Sequence, residues 1–262
     1  MTRFSANLGF LWAELPLPDA IAAAARAGFA AVECHWPYDT PPSDVRAALE
    51  AASLEMLGLN TPRGRPGENG LAALPGREAD ARAAIDLAIA YAREVDCKAI
   101  HVMAGRAEGP IAEETYLRNI DYACRTAPDL TILIEPLNHR DAPGYFLTRT
   151  DRAAALIGCA GHPNLRMMFD CYHVAITEGD VAQRLRTHLP LIGHVQVASV
   201  PDRGTPDHGL LDYRAIFSLL DALDWRRPIG AEYRPTGPTA DTLDWLALPA
   251  RLTGLQERMS KT

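Results

Sequence analysis

Long apolar runs are missing from this chain of 262 residues. No stretch approaches about 18 uninterrupted apolar residues, so nothing reads as a membrane span. The opening "MTRFSANLGFLWAELPLPDA" has no basic segment leading into a long apolar core and does not read as a secretory signal. Cysteine is sparse. Cys34, Cys97, Cys124, Cys159 and Cys171 are odd in number, scattered and never spaced as CxxC. That excludes a disulfide framework and a thiolate zinc site, and points to a reduced, cytoplasmic chain. Lysine is nearly absent: of 26 basic residues only Lys98 and Lys261 are lysines. A Schiff-base aldolase needs a lysine at an inner strand position, and neither is placed for it. Positive charge is not in excess either. A formal net charge of −7 argues against nucleic acid as partner, because phosphate neutralisation needs clustered cations. No GxGxxG or GxxxxGK[ST] turn follows an apolar run, and no GxSxG elbow is present, so nucleotide binding and Ser-His-Asp hydrolysis lack their usual signs. The expected partner is a small-molecule substrate, with no nucleic acid and no membrane. Association into a homo-oligomer is left open.

What is there is an alternation. Short apolar runs lie near 3–10, 30–34, 54–59, 98–103, 130–134, 165–169, 191–195 and 228–231, and helical patterns near 17–27, 42–53, 77–95, 113–126, 149–159, 178–187, 213–222 and 240–257. In "EADARAAIDLAIAYAREV", Ala81, Ala84, Ile85, Ala88, Tyr91, Ala92 and Val95 recur at helical spacing on one face. Eight strand–helix alternations predict an α/β fold, a (β/α)8 TIM barrel over about 3–257 in a single domain, 1–262. On strand counting alone a doubly wound sheet competes. The one long Pro/Gly-rich loop, "NTPRGRPGENGLAALPG", follows the third strand and would overhang a barrel's mouth.

Four apolar runs end in an oxygen-bearing side chain. "TILIE" ends in Glu135, "RMMFD" in Asp170, "IGHVQ" in Gln196 and "PIGAE" in Glu232, separated by 35, 26 and 36 residues, each about one βα unit. Consecutive barrel strands bring their C-terminal ends to the same mouth, so the four would converge. Three carboxylates that close repel unless a cation or protons intervene. Oxygen-only ligands favour a hard divalent metal, Mg2+ or Mn2+. Taken singly, each could be a polar strand cap; the repeat spacing is what makes the set a metal-site candidate.

The segments "FSANLGFLW", "AVECHWPY", "IHVMAG", "IEPLNHRDAPGYFLT", "FDCYH", "HVQVASVPDR" and "GAEYRPTG" resemble the hydroxypyruvate isomerase family, within the xylose-isomerase-like barrel superfamily. The resemblance runs from Phe4 to about Trp245 and is strongest in "IEPLN…PGYF" and "HVQVA…PDR". It implies metal ligation by Glu135, Asp170, Gln196 and Glu232, with Glu135 and Glu232 as the catalytic acid/base pair. The implied reaction isomerises hydroxypyruvate to tartronate semialdehyde by enediolate proton transfer. A ketose 3-epimerase, a 2-oxo-tetronate-type isomerase and a non-catalytic sugar- or anion-binding barrel are the alternatives. Related ketose 3-epimerases usually carry histidine where this chain has Gln196, and endonuclease IV needs many more histidine ligands. Two positions depart from the family: Leu210 stands at a usual glutamate, and His35 at a usually apolar position.

Other candidates carry a plainer alternative. His173 is expected to orient the metal shell or touch a substrate oxygen, or to be a loop histidine satisfied by backbone. His101 would line the pocket, or be core. Arg203 would hold a substrate carboxylate bidentately, or be a solvated loop charge. Asn7 and Glu33 are pocket or barrel core, and Arg63 and Arg65 could close over an anion. His139 and Arg140 read as loop residues.

Overall fold

A strand of four residues followed by a helix of ten cannot bury both of its faces alone, and repetition of the unit solves the problem. In the computed structural model, which describes residues 2–248, eight strands do so. They are β1 (Phe4–Asn7), β2 (Ala31–Cys34), β3 (Glu55–Asn60), β4 (Ala99–His101), β5 (Thr131–Ile134), β6 (Leu165–Asp170), β7 (Ile192–Val197) and β8 (Ile229–Ala231). Each pairs in parallel with its chain neighbour, and β8 returns to β1, giving a closed (β/α)8 barrel. Closure decides against the doubly wound sheet, which would leave two edges unpaired.

The helices α1 (Leu17–Arg26), α2 (Pro42–Ala52), α3 (Glu78–Glu94), α4 (Gly109–Thr126) and α5 (Thr150–Ala160) fall where the apolar periodicity predicts. The face expected on α3, from Ala81 to Val95, is buried throughout. Between β6 and β7 the single helix expected at 178–187 is instead two, α6 (Cys171–Thr177) and α7 (Val181–His188). The cause is local. Asp170 Oδ1 accepts the N–H of Tyr172 at 2.9 Å and so caps α6 directly on the strand's last residue. Gly179 and Asp180, both at positive φ, then break the helix. A 3-10 turn, Leu189–Leu191, follows α7, and α8 (Tyr213–Ala222) follows β7. Where a helix is expected over 240–257, two single 3-10 turns occur, Thr239–Thr242 and Asp244–Ala247; positions 249–257 lie outside the described residues. Among the described residues no helix is long and apolar enough to cross a membrane.

Inside the barrel the lining divides. Ala99, Leu133 and Met168, from β4, β5 and β6, form a small apolar cluster. Opposite, Ser5, Asn7, Glu33, His194 and Gln196, from β1, β2 and β7, form a buried polar one. The long loop after β3 runs back over the mouth and bridges to the segment after β4 through Gly70 and Ala104. Glycine is required there: φ is +115°, and a Cβ would lie 2.3 Å from the Met103 carbonyl oxygen.

Candidate active site

Register brings the strand-end residues together. Asp170 pairs with Gln196, and Gln196 with Gly230, two residues before Glu232. Glu135 follows β5 directly. All four are buried, between 1% and 6% exposed. Ligand atoms of Glu135, Asp170, His173 and Glu232 lie within 4.8 Å of one another.

Whether such a cluster suits a cation is decided by its unpaired atoms. Among the described residues Glu135 Oε1, Asp170 Oδ2 and Gln196 Oε1 are buried with no hydrogen-bond partner. Orphaned oxygens on three adjacent strand ends need a partner that is not a protein donor. Their partners elsewhere fix which oxygen is left over. Asp170 spends Oδ1 on the cap of α6, and Gln196 turns its amide nitrogen to Glu33 at 2.8 Å. The donor set fits a hard divalent ion.

His173 is a different case. Its Nδ1 accepts the backbone N–H of Asn138 at 3.0 Å and faces the Asn138 side-chain nitrogen at 2.7 Å. Burial, reinforced by Arg203, pushes its pKa down to about 3, so the ring is neutral and the proton sits on Nε2, 3.5 Å from Asp170 Oδ2. An imidazole protonated on the nitrogen facing the site is built to donate a hydrogen bond rather than to ligate.

The two glutamates are held differently. Burial, with Glu232 and Asp170 nearby, raises the Glu135 carboxyl well above the ordinary range. Asp170 is pushed up to about 8, by burial first and then by Glu232. Burial also works against ionisation of Glu232, but Arg203 and then His35 outweigh it and hold the carboxyl below the ordinary range. Arg203 Nη2 lies 2.5 Å from Glu232 Oε2, and the opposite oxygen is shared by Asn7 Nδ2 at 3.0 Å and His35 Nε2 at 2.8 Å.

A mouth cavity of about 310 Å³ opens above this cluster, lined by His101, Glu135, His173, Arg203 and Glu232 and by the exposed Arg63 and Arg234. His101 lies 3.5 Å from Glu135 Oε2, and neither ring nitrogen has a hydrogen-bond partner among the described residues; burial lowers its pKa to about 3. Asn7 sits behind Glu232 and lines a smaller inner cavity, its amide shared between Glu33, Glu232 and the Gly9 N–H. Arg203 is buried at left-handed φ, 3.7 Å from Asp170 Oδ2 and 3.6 Å from Asp141 Oδ2, between the rings of Phe10 and Tyr172. Arg63 stacks on Trp36 at 4.4 Å, whereas Arg65 is exposed and outside the cavity lining. His139 and Arg140 are exposed loop residues.

Sequence reading did not single out His194, whose Nε2 contacts Glu33 closely, or Asn138, which sets the His173 tautomer. The signal for His194 was present: it precedes Gln196 by two in a strand, hence shares its face.

The chain matches the model of the family described as "Xylose isomerase-like TIM barrel" over residues 21–248. It is 45% identical to a protein named 2-oxo-tetronate isomerase from Cupriavidus necator, over 94% of this chain and 98% of the relative. It is 41% identical to a putative hydroxypyruvate isomerase from Danio rerio, over 93% and 94%. A crystal structure described as AP endonuclease, family 2, from Brucella melitensis superposes with a TM-score of 0.91 at 39% identity, covering 94% of this chain and 98% of that one.

Proposed function

The chain belongs to the xylose isomerase-like TIM barrel family, and from that premise we propose that it isomerises a small 2-oxo acid with a hydroxyl on the adjacent carbon. The smallest such reaction converts hydroxypyruvate to tartronate semialdehyde. The observation that carries the reading is the unequal pair, Glu135 and Glu232, beside three orphaned oxygens at the floor of one cavity.

Glu135, Asp170, Gln196 and Glu232 are the residues that would hold a divalent ion, Mg2+ or Mn2+. When bound, such an ion polarises the substrate carbonyl and acidifies the neighbouring carbon-bound hydrogen. The chain's own groups divide the remaining work. Glu232, kept as a carboxylate by Arg203 and His35, accepts the proton from C3. Glu135, across the cluster and with one oxygen free of partners among the described residues, returns one to C2. The hydroxyl proton passes from O3 to O2 as the enediolate collapses. His173, with Nε2–H facing the site, and His101 are placed to hold those oxygens. Arg203, Arg63 and Arg234 supply the positive side of the mouth for the substrate carboxylate.

Two observations favour a four-carbon substrate as a second reading: the relative at 45% identity is named for 2-oxo-tetronate, and a cavity of about 310 Å³ exceeds what three carbons need. Phosphodiester hydrolysis, which the name of the superposed crystal structure would bring to mind, is disfavoured by the net charge of −7 and by a cluster with one histidine among three carboxylates. The test is a panel of C3 to C6 hydroxy-carbonyl compounds, acids and uncharged ketoses, assayed with Mg2+ and Mn2+. Turnover confined to 2-oxo acids supports the reading; turnover confined to uncharged ketoses would replace it with epimerisation.

A further inference from the structure

His35 follows β2 directly and stands over the Glu232 carboxylate, with Nε2 2.8 Å from Oε1. An ionised carboxylate can only accept, so the ring proton is on Nε2. The imidazole has a made place. Phe10 meets it edge-on at 5.0 Å, and Trp36 lies 5.2 Å away. On the remaining side is Gly9, where a Cβ would fall 2.1 Å from His35 Nδ1 and 2.4 Å from Cγ. Any side chain at position 9 therefore collides with the ring where it now sits. Gly9 has no left-handed φ, so the lack of a Cβ serves space and not backbone conformation.

The same short segment closes the arrangement from behind. The N–H of Gly9 binds Asn7 Oδ1 at 2.9 Å, and Asn7 Nδ2 donates to the oxygen that His35 holds. Arg203 grips the other oxygen. Glu232 is thus clamped at both ends, whereas Glu135 has one oxygen without a partner among the described residues and the other 3.5 Å from His101. A carboxylate that takes a proton from carbon must present one oxygen at a fixed angle, and small misplacement there is costly.

We propose that His35 is a positioning residue that fixes the Glu232 carboxylate for proton transfer, and that Gly9 is the space that admits it. This rests on the reading of Glu232 as the proton acceptor. His35 acts through its Nε2–H bond, and a glutamine, whose side-chain nitrogen reaches a similar place, substitutes for it.

The test compares His35→Ala, His35→Gln, Gly9→Ala and the double variant Gly9→Ala/His35→Ala in the full chain. Measured are kcat and KM on the preferred panel substrate, Mn2+ affinity by calorimetry, and thermal unfolding. His35→Ala and Gly9→Ala are each expected to lower kcat about 10- to 100-fold with KM within about 3-fold, and His35→Gln to recover most of the loss. The double variant should match His35→Ala alone, since the clash disappears with the ring. Mn2+ affinity and Tm should change little in His35→Gln. The proposal is overturned if His35→Ala keeps wild-type kcat, if the two single losses add in full, or if glutamine fails to rescue while Tm falls. If Glu232→Gln abolishes turnover but His35→Ala does not, only this inference fails; if Glu232→Gln itself stays active, the reading beneath it fails too.

Discussion

Glu33 accepts the side-chain N–H of Gln196 at 2.8 Å, and this one bond decides which end of the amide faces the mouth. The same carboxylate takes Asn7 Nδ2 at 3.0 Å and Ser5 Oγ at 3.4 Å, and lies against His194 Nε2. Glu33 is therefore the hub beneath the candidate metal centre. Groups that orient ligands from behind typically carry 10- to 100-fold in metal affinity, a range of about one to two decades. Glu33→Gln keeps the shape but sets an amide N–H2 against donors. Calorimetric titration with Mn2+ should show affinity weakened by about that range in a protein that still folds. Unchanged affinity would mean that Gln196 is oriented by something else or is not a ligand.

Metal removal should separate stability from activity. Exhaustive chelation is expected to abolish turnover, and Mg2+ or Mn2+ to restore it, while the barrel stays folded because its core is independent of the mouth. In the metal-free protein the raised carboxyls make stability pH-dependent. Asp170 rises from an ordinary value of about 4 to about 8, and Glu135 rises too. A carboxyl raised on folding contributes stability that is fully present below its unfolded pKa and lost as pH rises through the folded one. Glu232, shifted the other way, contributes only to losses in acid below the ordinary range. His101 and His173, both lowered to about 3 by burial, work the other way, adding stability as pH rises towards about 6.5, so the two effects offset each other below that. Metal-free Tm should therefore change little from about pH 5 to about pH 6.5 and fall between about pH 6.5 and pH 8, and saturating metal should flatten the slope. A metal-free Tm that rises across that window contradicts the assignment.

The proposed acid/base pair is tested by amide replacement. Glu232→Gln and Glu135→Gln each keep an oxygen but remove the titrating group, so kcat should fall by at least about 10²-fold while substrate still binds. Steady-state and single-turnover kinetics with equilibrium binding distinguish the two effects. Near wild-type turnover in either variant would reduce that residue to a ligand or a bystander.

Much of this was legible before any coordinates. An apolar run that stops at an oxygen-bearing side chain marks a strand end, and four such stops at barrel spacing put Glu135, Asp170, Gln196 and Glu232 in one place. What escaped had two physical causes. Asp170 looks in the sequence like a ligand only, yet its other oxygen caps α6 and starts a helix at Cys171 directly on the strand end. Glu33 could be either core or pocket, because an inward-facing strand residue looks alike in both cases. Its partner Gln196 is 163 residues away, and only closure of the barrel brings them together. His35 stood out as a departure in type, but its contact with Glu232 crosses 197 residues and depends on the missing side chain of Gly9.

The 2-oxo acid proposed as substrate needs a cation for its carboxylate, and the structure distinguishes the three arginines at the mouth. Arg203 is buried and already bound to Glu232, so under the proposed function it joins substrate recognition to the proton acceptor. Arg63 and Arg234 are exposed, each with its guanidinium over an aromatic ring and no carboxylate partner among the described residues. Arg203→Ala should then lower kcat on every substrate, by releasing Glu232, and raise KM further for a 2-oxo acid. A buried charge pair cut on one side costs about 2–5 kcal/mol. Arg63→Ala and Arg234→Ala should act on KM alone, by about 3- to 10-fold for the acid and hardly at all for an uncharged ketose, because exposed cations are screened. The deciding quantity is the ratio of kcat/KM for hydroxypyruvate to that for an uncharged ketose. If none of the three variants moves that ratio, the mouth is not reading a carboxylate, and ketose epimerisation becomes the better account of the site.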